Sequence, residues 1–120
     1  MNNTYDLTEI SDDYMNERLA NAKDYTMLIL RTTSETFKDS SAPTIREHGR
    51  RNMALQASGV LAIVCPVAPD RRSGLAGIGI FAVPADEVRS IMGGDPAVEA
   101  GVLEFDVHPI RGFPGDCLPG

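Results

Sequence analysis

Two short segments, "YTMLILR" (25–31) and "VLAIVC" (60–65), restrict this chain more than any other feature. Both are apolar at odd and even positions alike. A strand with one wet face alternates apolar and polar side chains, because successive side chains point to opposite faces. Strands of this composition need cover on both sides.

The punctuation around them orders the rest. "TTSETFKDSSA" (32–42) reads as a polar, mobile loop. Pro43 suits the first turn of a helix and Gly59 the position just past its end, so 43–58 is expected to be helical. "PDRRSG" (69–74) is turn-rich, and "GIGIFAV" (77–83) reads as a third strand. Pro84 opens a second helix, with Asp86 and Glu87 in its positive first turn, an apolar face of Val88, Ile91 and Met92, and Gly93-Gly94 as its stop. "DPAVEAG" (95–101) reads as one helical turn with Asp95 as cap and Pro96 at its first position. "VLEFDVHPI" (102–110) alternates Leu103, Phe105 and Val107 against Glu104, Asp106 and His108, as a half-exposed strand does.

The order β-α-β-β-α-β is the split βαβ, or ferredoxin-like, pattern: an α+β fold with a four-stranded antiparallel sheet and both helices on one face. The helix-free face of two-sided apolar strands then needs a cover. A second copy of the same sheet supplies one, since most oligomers are symmetric homodimers. The rivals are the C-terminal tail "RGFPGDCLPG" and an extra N-terminal helix over 11–23, for which Ser11 is the cap, Asp12 and Asp13 occupy the first turn, and Ile10 and Met15 are placed as a hydrophobic staple. So short a helix shields only part of a sheet, which favours the homodimer. The chain divides into an N-terminal arm and helix (1–24), an α+β domain (25–111) and a Pro/Gly-rich tail (112–120).

Composition excludes several functions. A net charge of −6, with no Lys/Arg block longer than a pair, argues against nucleic acid as a partner. The longest apolar run, "GVLAIVCPVA", is too short to span a bilayer. The polar, acidic start is unlike a secretory or mitochondrial leader, and two cysteines make no disulfide framework, so a cytoplasmic protein is expected. Two histidines and two cysteines stand at no metal-ligand spacing, so no metal is expected. The glycines of "GLAGIGIF" (74–81) run within a strand and open no helix, so they fail as a dinucleotide fingerprint and read as close backbone approach.

Chemistry centres on "REHGRRNMAL" (46–55). At about 100° per residue, Ile45, His48, Asn52 and Leu55 share one stripe of the helix. Arg46 and Arg50 lie on a second face and Glu47 and Arg51 on a third. Glu47 and Arg51 are in the favourable i,i+4 order, worth about 0.3 kcal/mol. His48 is thus set apart from the solvated arginines. It is either a core-edge histidine bonded to a backbone carbonyl or a proton-transfer group. Asp95 is either a helix cap or the carboxylate that orients His48. Cys65 reads as a buried strand thiol and Cys117 as a tail thiol.

A histidine on the first helix, then "ASGVLAIVCPVA", a short third strand and "DPAVEAGVLEFDVHPI" together resemble the YciI-like (YCII-related) family over Tyr25 to Arg111. The resemblance implies a dimeric ferredoxin-like α+β barrel. It also implies a His–Asp pair in a cleft, carried here by His48 and Asp95 as catalytic residues. Some members look like dehydrochlorinases or related lyases acting on hydroxylated aromatics. The expectation is a small enzyme of lyase or isomerase type, without cofactor, moving protons on a small, partly apolar compound. The alternative is a dimeric module that binds a small molecule or a partner without chemistry. Arg31 is expected to hold an anionic oxygen of the substrate. Cys65-Pro66, where the family commonly has Gly-Pro, is expected to shape the substrate pocket.

Overall fold

The computed structural model describes residues 5–68 and 72–120; residues 69–71 of the expected turn and the first four of the expected arm lie outside this range. The chain runs α1 (Asp12–Ala20), β1 (Lys23–Thr32), α2 (Ala42–Ala57), β2 (Leu61–Pro66), β3 (Leu75–Phe81), α3 (Ala85–Gly93), α4 (Pro96–Glu99) and β4 (Leu103–Gly112). The strands form one antiparallel sheet in the order β2-β3-β1-β4, as the ferredoxin-like pattern requires.

Alternation assigns each strand residue a face. Thr26, Leu28 and Leu30 are buried in β1 and pair with Phe81, Gly79 and Gly77 of β3. Together with Leu61 and Leu103 they meet the helices, whose Val88, Met92 and Ala97 are wholly buried. Thr26 would strand a polar hydroxyl in this core, but its Oγ1 donates to the Val83 carbonyl at 2.7 Å. The intervening residues, Met27 and Ile29 of β1 and Ile78 and Ile80 of β3, point away from the helices. The two-sidedness of "MLIL" therefore gives the helix-free side an apolar stripe along β1 and β3, bordered by Glu104, Asp106 and His108 of β4.

Local chemistry accounts for the helix ends. Ser11 caps α1, its hydroxyl accepting from the Tyr14 amide at 3.1 Å. Pro43 stands in the first turn of α2 and Pro96 in that of α4. The N-terminal helix is shorter than 11–23 because β1 starts early: Lys23 and Asp24 already pair with Gly112 and Arg111. On α2, Glu47 pairs with Arg50 at 3.3 Å rather than reaching on to Arg51. Arg51 instead lies against Gly94 at the α3–α4 junction, with one guanidinium nitrogen buried.

The expected mobile loop is ordered. Thr36 Oγ1 accepts from the Thr33 amide at 2.8 Å and donates to the Val102 carbonyl at 2.7 Å. Thr33 Oγ1 donates to the Gly101 carbonyl at 2.7 Å and Ser41 Oγ to the Glu35 carbonyl at 2.6 Å. The hydroxyls that made the segment look solvated tie it to the turn before β4.

Candidate functional site

One turn of α2 presents His48 and Asn52, each about 8% exposed, on the side facing the sheet. Asp95 arrives from the second half of the domain, at the N-terminus of α4, and is wholly buried. Both of its carboxylate oxygens lie 2.7 Å from His48 Nδ1. Neither bonds an α4 amide, so Asp95 holds the cap position without acting as a side-chain cap. An ionised carboxylate only accepts, so it places the imidazole proton on Nδ1. Nε2 is left with a lone pair, which accepts from Asn52 Nδ2 at 3.1 Å. The result is a buried Asp95–His48–Asn52 chain with both imidazole nitrogens engaged.

His48 and Asn52 border a cleft of about 590 Å³ between α2 and the sheet, with Asp95 behind them. Leu28, Leu30, Leu61 and Val64 form its apolar wall, and the exposed Phe37 and Met53 stand at its mouth. Gly77 and Gly79 face it from the central β3, and their missing side chains leave the space open. A Cβ at Gly77 would come within 3.1 Å of the Cys65 carbonyl oxygen, and one at Gly79 within 3.2 Å of Leu61 Cδ1. Among the described residues, the lining holds no Lys, Arg, Asp or Glu.

The expected site residues separate into two groups. His48 and Pro66 border the cleft and Asp95 supports it, while Cys65, at the cleft edge, pairs with Ile78 and so faces away from the helices, contrary to the expectation that its side chain shapes the pocket. Cys65 is half-buried rather than buried, because β2 is an edge strand. Arg31 is not brought there. Leu30 faces the cleft, so its neighbour Arg31 faces the opposite side of the sheet, where its Nε donates to Asp106 Oδ2 at 2.5 Å. Sequence reasoning put Asn52 on the histidine's stripe without giving it a role. The i,i+4 spacing was the signal for it. Thr36 and Phe37 of the supposed mobile loop, and the glycine floor, were missed as parts of the cleft.

A model of the YCII-related domain matches residues 25–111. The chain belongs to this family. His48, Asn52, Asp95 and the cleft all lie within the matched stretch, while α1 and the C-terminal tail lie outside it. A comparison with curated proteins finds no match. Among the described residues, no group of three or more His, Cys, Asp and Glu is placed to hold a metal ion, and no helix is long and apolar enough to cross a membrane.

Proposed function

We propose that this YCII-related protein is a cofactor-independent proton-transfer enzyme of lyase or isomerase type. His48 acts as general base and acid through Nε2, and Asp95 holds its tautomer. The observation that carries the reading is the buried Asp95–His48 pair whose far imidazole edge borders an apolar cleft. The carboxylate fixes which imidazole nitrogen faces the cleft, and an apolar cleft strengthens each electrostatic interaction by excluding water. The charge-free lining favours a small, neutral, partly apolar substrate, and its size and apolar walls suit a hydroxylated aromatic ring lying over Gly77 and Gly79. A dehydrochlorinase-like elimination is one reaction of this type. Val64 and Pro66 close the β2 side of the cleft.

The protein acts as a homodimer through the helix-free sheet face. Met27, Ile29, Ile63, Ile78 and Ile80 give that face its apolar character, and a symmetric sheet-on-sheet contact buries it twice. With two free cysteines and no disulfide among the described residues, a reducing, cytoplasmic setting suits the chain.

The 3.1 Å bond from Asn52 to Nε2 favours a second reading, a binding module that performs no chemistry, because it occupies the lone pair that a base would use. One experiment separates the two. Neutral phenols and hydroquinones are screened for thermal stabilisation of the protein, and the best binder is then tested for turnover with His48→Asn as control. The enzyme reading requires turnover that falls about 10²–10⁴-fold in the variant. Binding without turnover in either protein supports the module.

A further inference from the structure

The cleft offers a ligand few hydrogen-bonding side chains, and some are already engaged. Thr36 uses its hydroxyl on the Thr33 amide and the Val102 carbonyl, and Gln56 donates to the Ala62 carbonyl at 3.4 Å. Thr32 stands at the far end of β1. The remaining polar point is the 3.1 Å contact between Asn52 Nδ2 and His48 Nε2. Among the described residues it is the one hydrogen bond of the Asn52 side chain. A carboxamide has two N–H donors and an oxygen with two lone pairs, so most of its capacity is unused. Buried polar side chains normally find partners, and Asn52 is only about 8% exposed. Asparagine is also a poorer helix former than alanine or leucine, so neither packing nor helix propensity accounts for it here.

The helix gives this amide two places to sit. A helical side chain leans over the turn before it, with χ1 near about 180° or about −60°. For Asn52 that turn holds His48 and Gly49. The imidazole is the first seat. Gly49 is the second: it borders the cleft, it has no side chain, and nothing beyond the helix's own backbone lies within 4 Å of the point where its Cβ would stand. Rotation about the Cα–Cβ bond of Asn52 carries the amide off the ring and over the glycine, and uncovers the Nε2 lone pair.

We propose that Asn52 is a positioning residue that selects ligands carrying a neutral hydroxyl group. Its amide covers Nε2 until a ligand hydroxyl displaces it. The hydroxyl then donates its proton to Nε2, and its oxygen accepts from the Asn52 amide turned over Gly49. One hydrogen bond is given up and two are formed. A hydroxyl both donates and accepts, as the exchange requires, whereas an ether only accepts and cannot take the Nε2 lone pair. An ether leaves Asn52 on the ring and brings its own oxygen unpaired into an apolar cleft. The proposal rests on the reading of the cleft as a small-molecule site with Nε2 as its working atom. It explains how a lone pair held by Asn52 becomes available to the ligand that needs it.

Phenol and its methyl ether, anisole, test the role of Asn52 on the full chain. Nuclear magnetic resonance titrations give both affinities for the wild type and for Asn52→Ala, and nuclear Overhauser contacts locate the Asn52 side-chain NH₂ protons. We expect the wild type to bind phenol at least tenfold more tightly than anisole. The NH₂ contacts should move from the His48 ring to the Gly49 α-protons with phenol and stay on the ring with anisole. The preference for phenol should shrink at least threefold in Asn52→Ala. Phenol bound with the amide still on the His48 ring overturns the role of Asn52 and leaves the cleft reading in place. Equal wild-type affinities, or a preference that Asn52→Ala leaves unchanged, do the same. A phenol titration that moves no cleft resonance overturns that role together with the reading of the cleft as a site for small neutral ligands.

Discussion

Replacing Asp95 by asparagine tests the buried relay at its least visible point, the position of one proton. The wild-type carboxylate can only accept, so neutral His48 must carry its proton on Nδ1, 2.7 Å from both oxygens. A hydrogen bond to a charged group is worth about 1.5–3 kcal/mol, so the Nδ1–H tautomer should outweigh the other by about one to two orders of magnitude. The side-chain amide of the Asp95→Asn variant has nearly the same shape but can turn either end toward the ring. With its oxygen toward Nδ1–H, Asn52 still donates to Nε2. With its NH₂ group toward a bare Nδ1, the Asn52 amide flips and accepts from Nε2–H. The two arrangements are of similar energy, and the tautomer ratio should fall to within a few-fold of one. The variant also trades a charge-assisted bond for a neutral one in a wholly buried position, a loss of about 1–2 kcal/mol, or roughly 3–10 °C in melting temperature at this chain length. Two-bond proton–nitrogen correlation spectra of the imidazole report the tautomer directly, and a thermal melt reports the stability. A wild-type ring protonated on Nε2 refutes the reasoning. So does an Asp95→Asn variant that keeps the single Nδ1–H tautomer.

Gly77→Ala should destabilise the fold by about 1–3 kcal/mol, since its Cβ meets the backbone oxygen of Cys65, while Gly79→Ala should cost less because Leu61 can turn aside; paired urea melts check the order. Arg31→Ala should leave affinity for any cleft ligand unchanged, as calorimetry would show, because its ion pair with Asp106 lies on the far face of the sheet. Thr36→Val should lower stability by about 1–2 kcal/mol and raise hydrogen exchange over residues 33–38, because it removes two bonds that hold the loop. Cys117 should react with a thiol reagent faster than half-buried Cys65, and thiol-resolved mass spectrometry that found Cys65 the faster would contradict that burial.

The order of elements was legible in the sequence because it depends on local chemistry. Proline at helix starts, glycine at helix ends and the side-chain period of strands act within a few residues, and they gave β-α-β-β-α-β with its extra N-terminal helix. The two-sided "MLIL" likewise announced an apolar stripe on the helix-free side of the sheet. The helical stripe joining His48 to Asn52 was visible for the same reason. What the sequence left open depends on contacts between distant residues. By sequence Asp95 reads foremost as a helix cap, and only the packing of α2 against the α3–α4 junction turns its carboxylate to His48, 47 residues away. Because β1 is apolar on both parities, its pattern gives no hint of which parity meets the helices. Tertiary packing chose Leu28 and Leu30, and thereby sent Arg31 to the far side of the sheet. The hydroxyls of residues 33–41 look solvated until β4 and the turn before it bring their acceptors. Gly77 and Gly79 become the floor of a cleft only once α2 lies above them, since an open space belongs to no residue and is made by the elements that surround it.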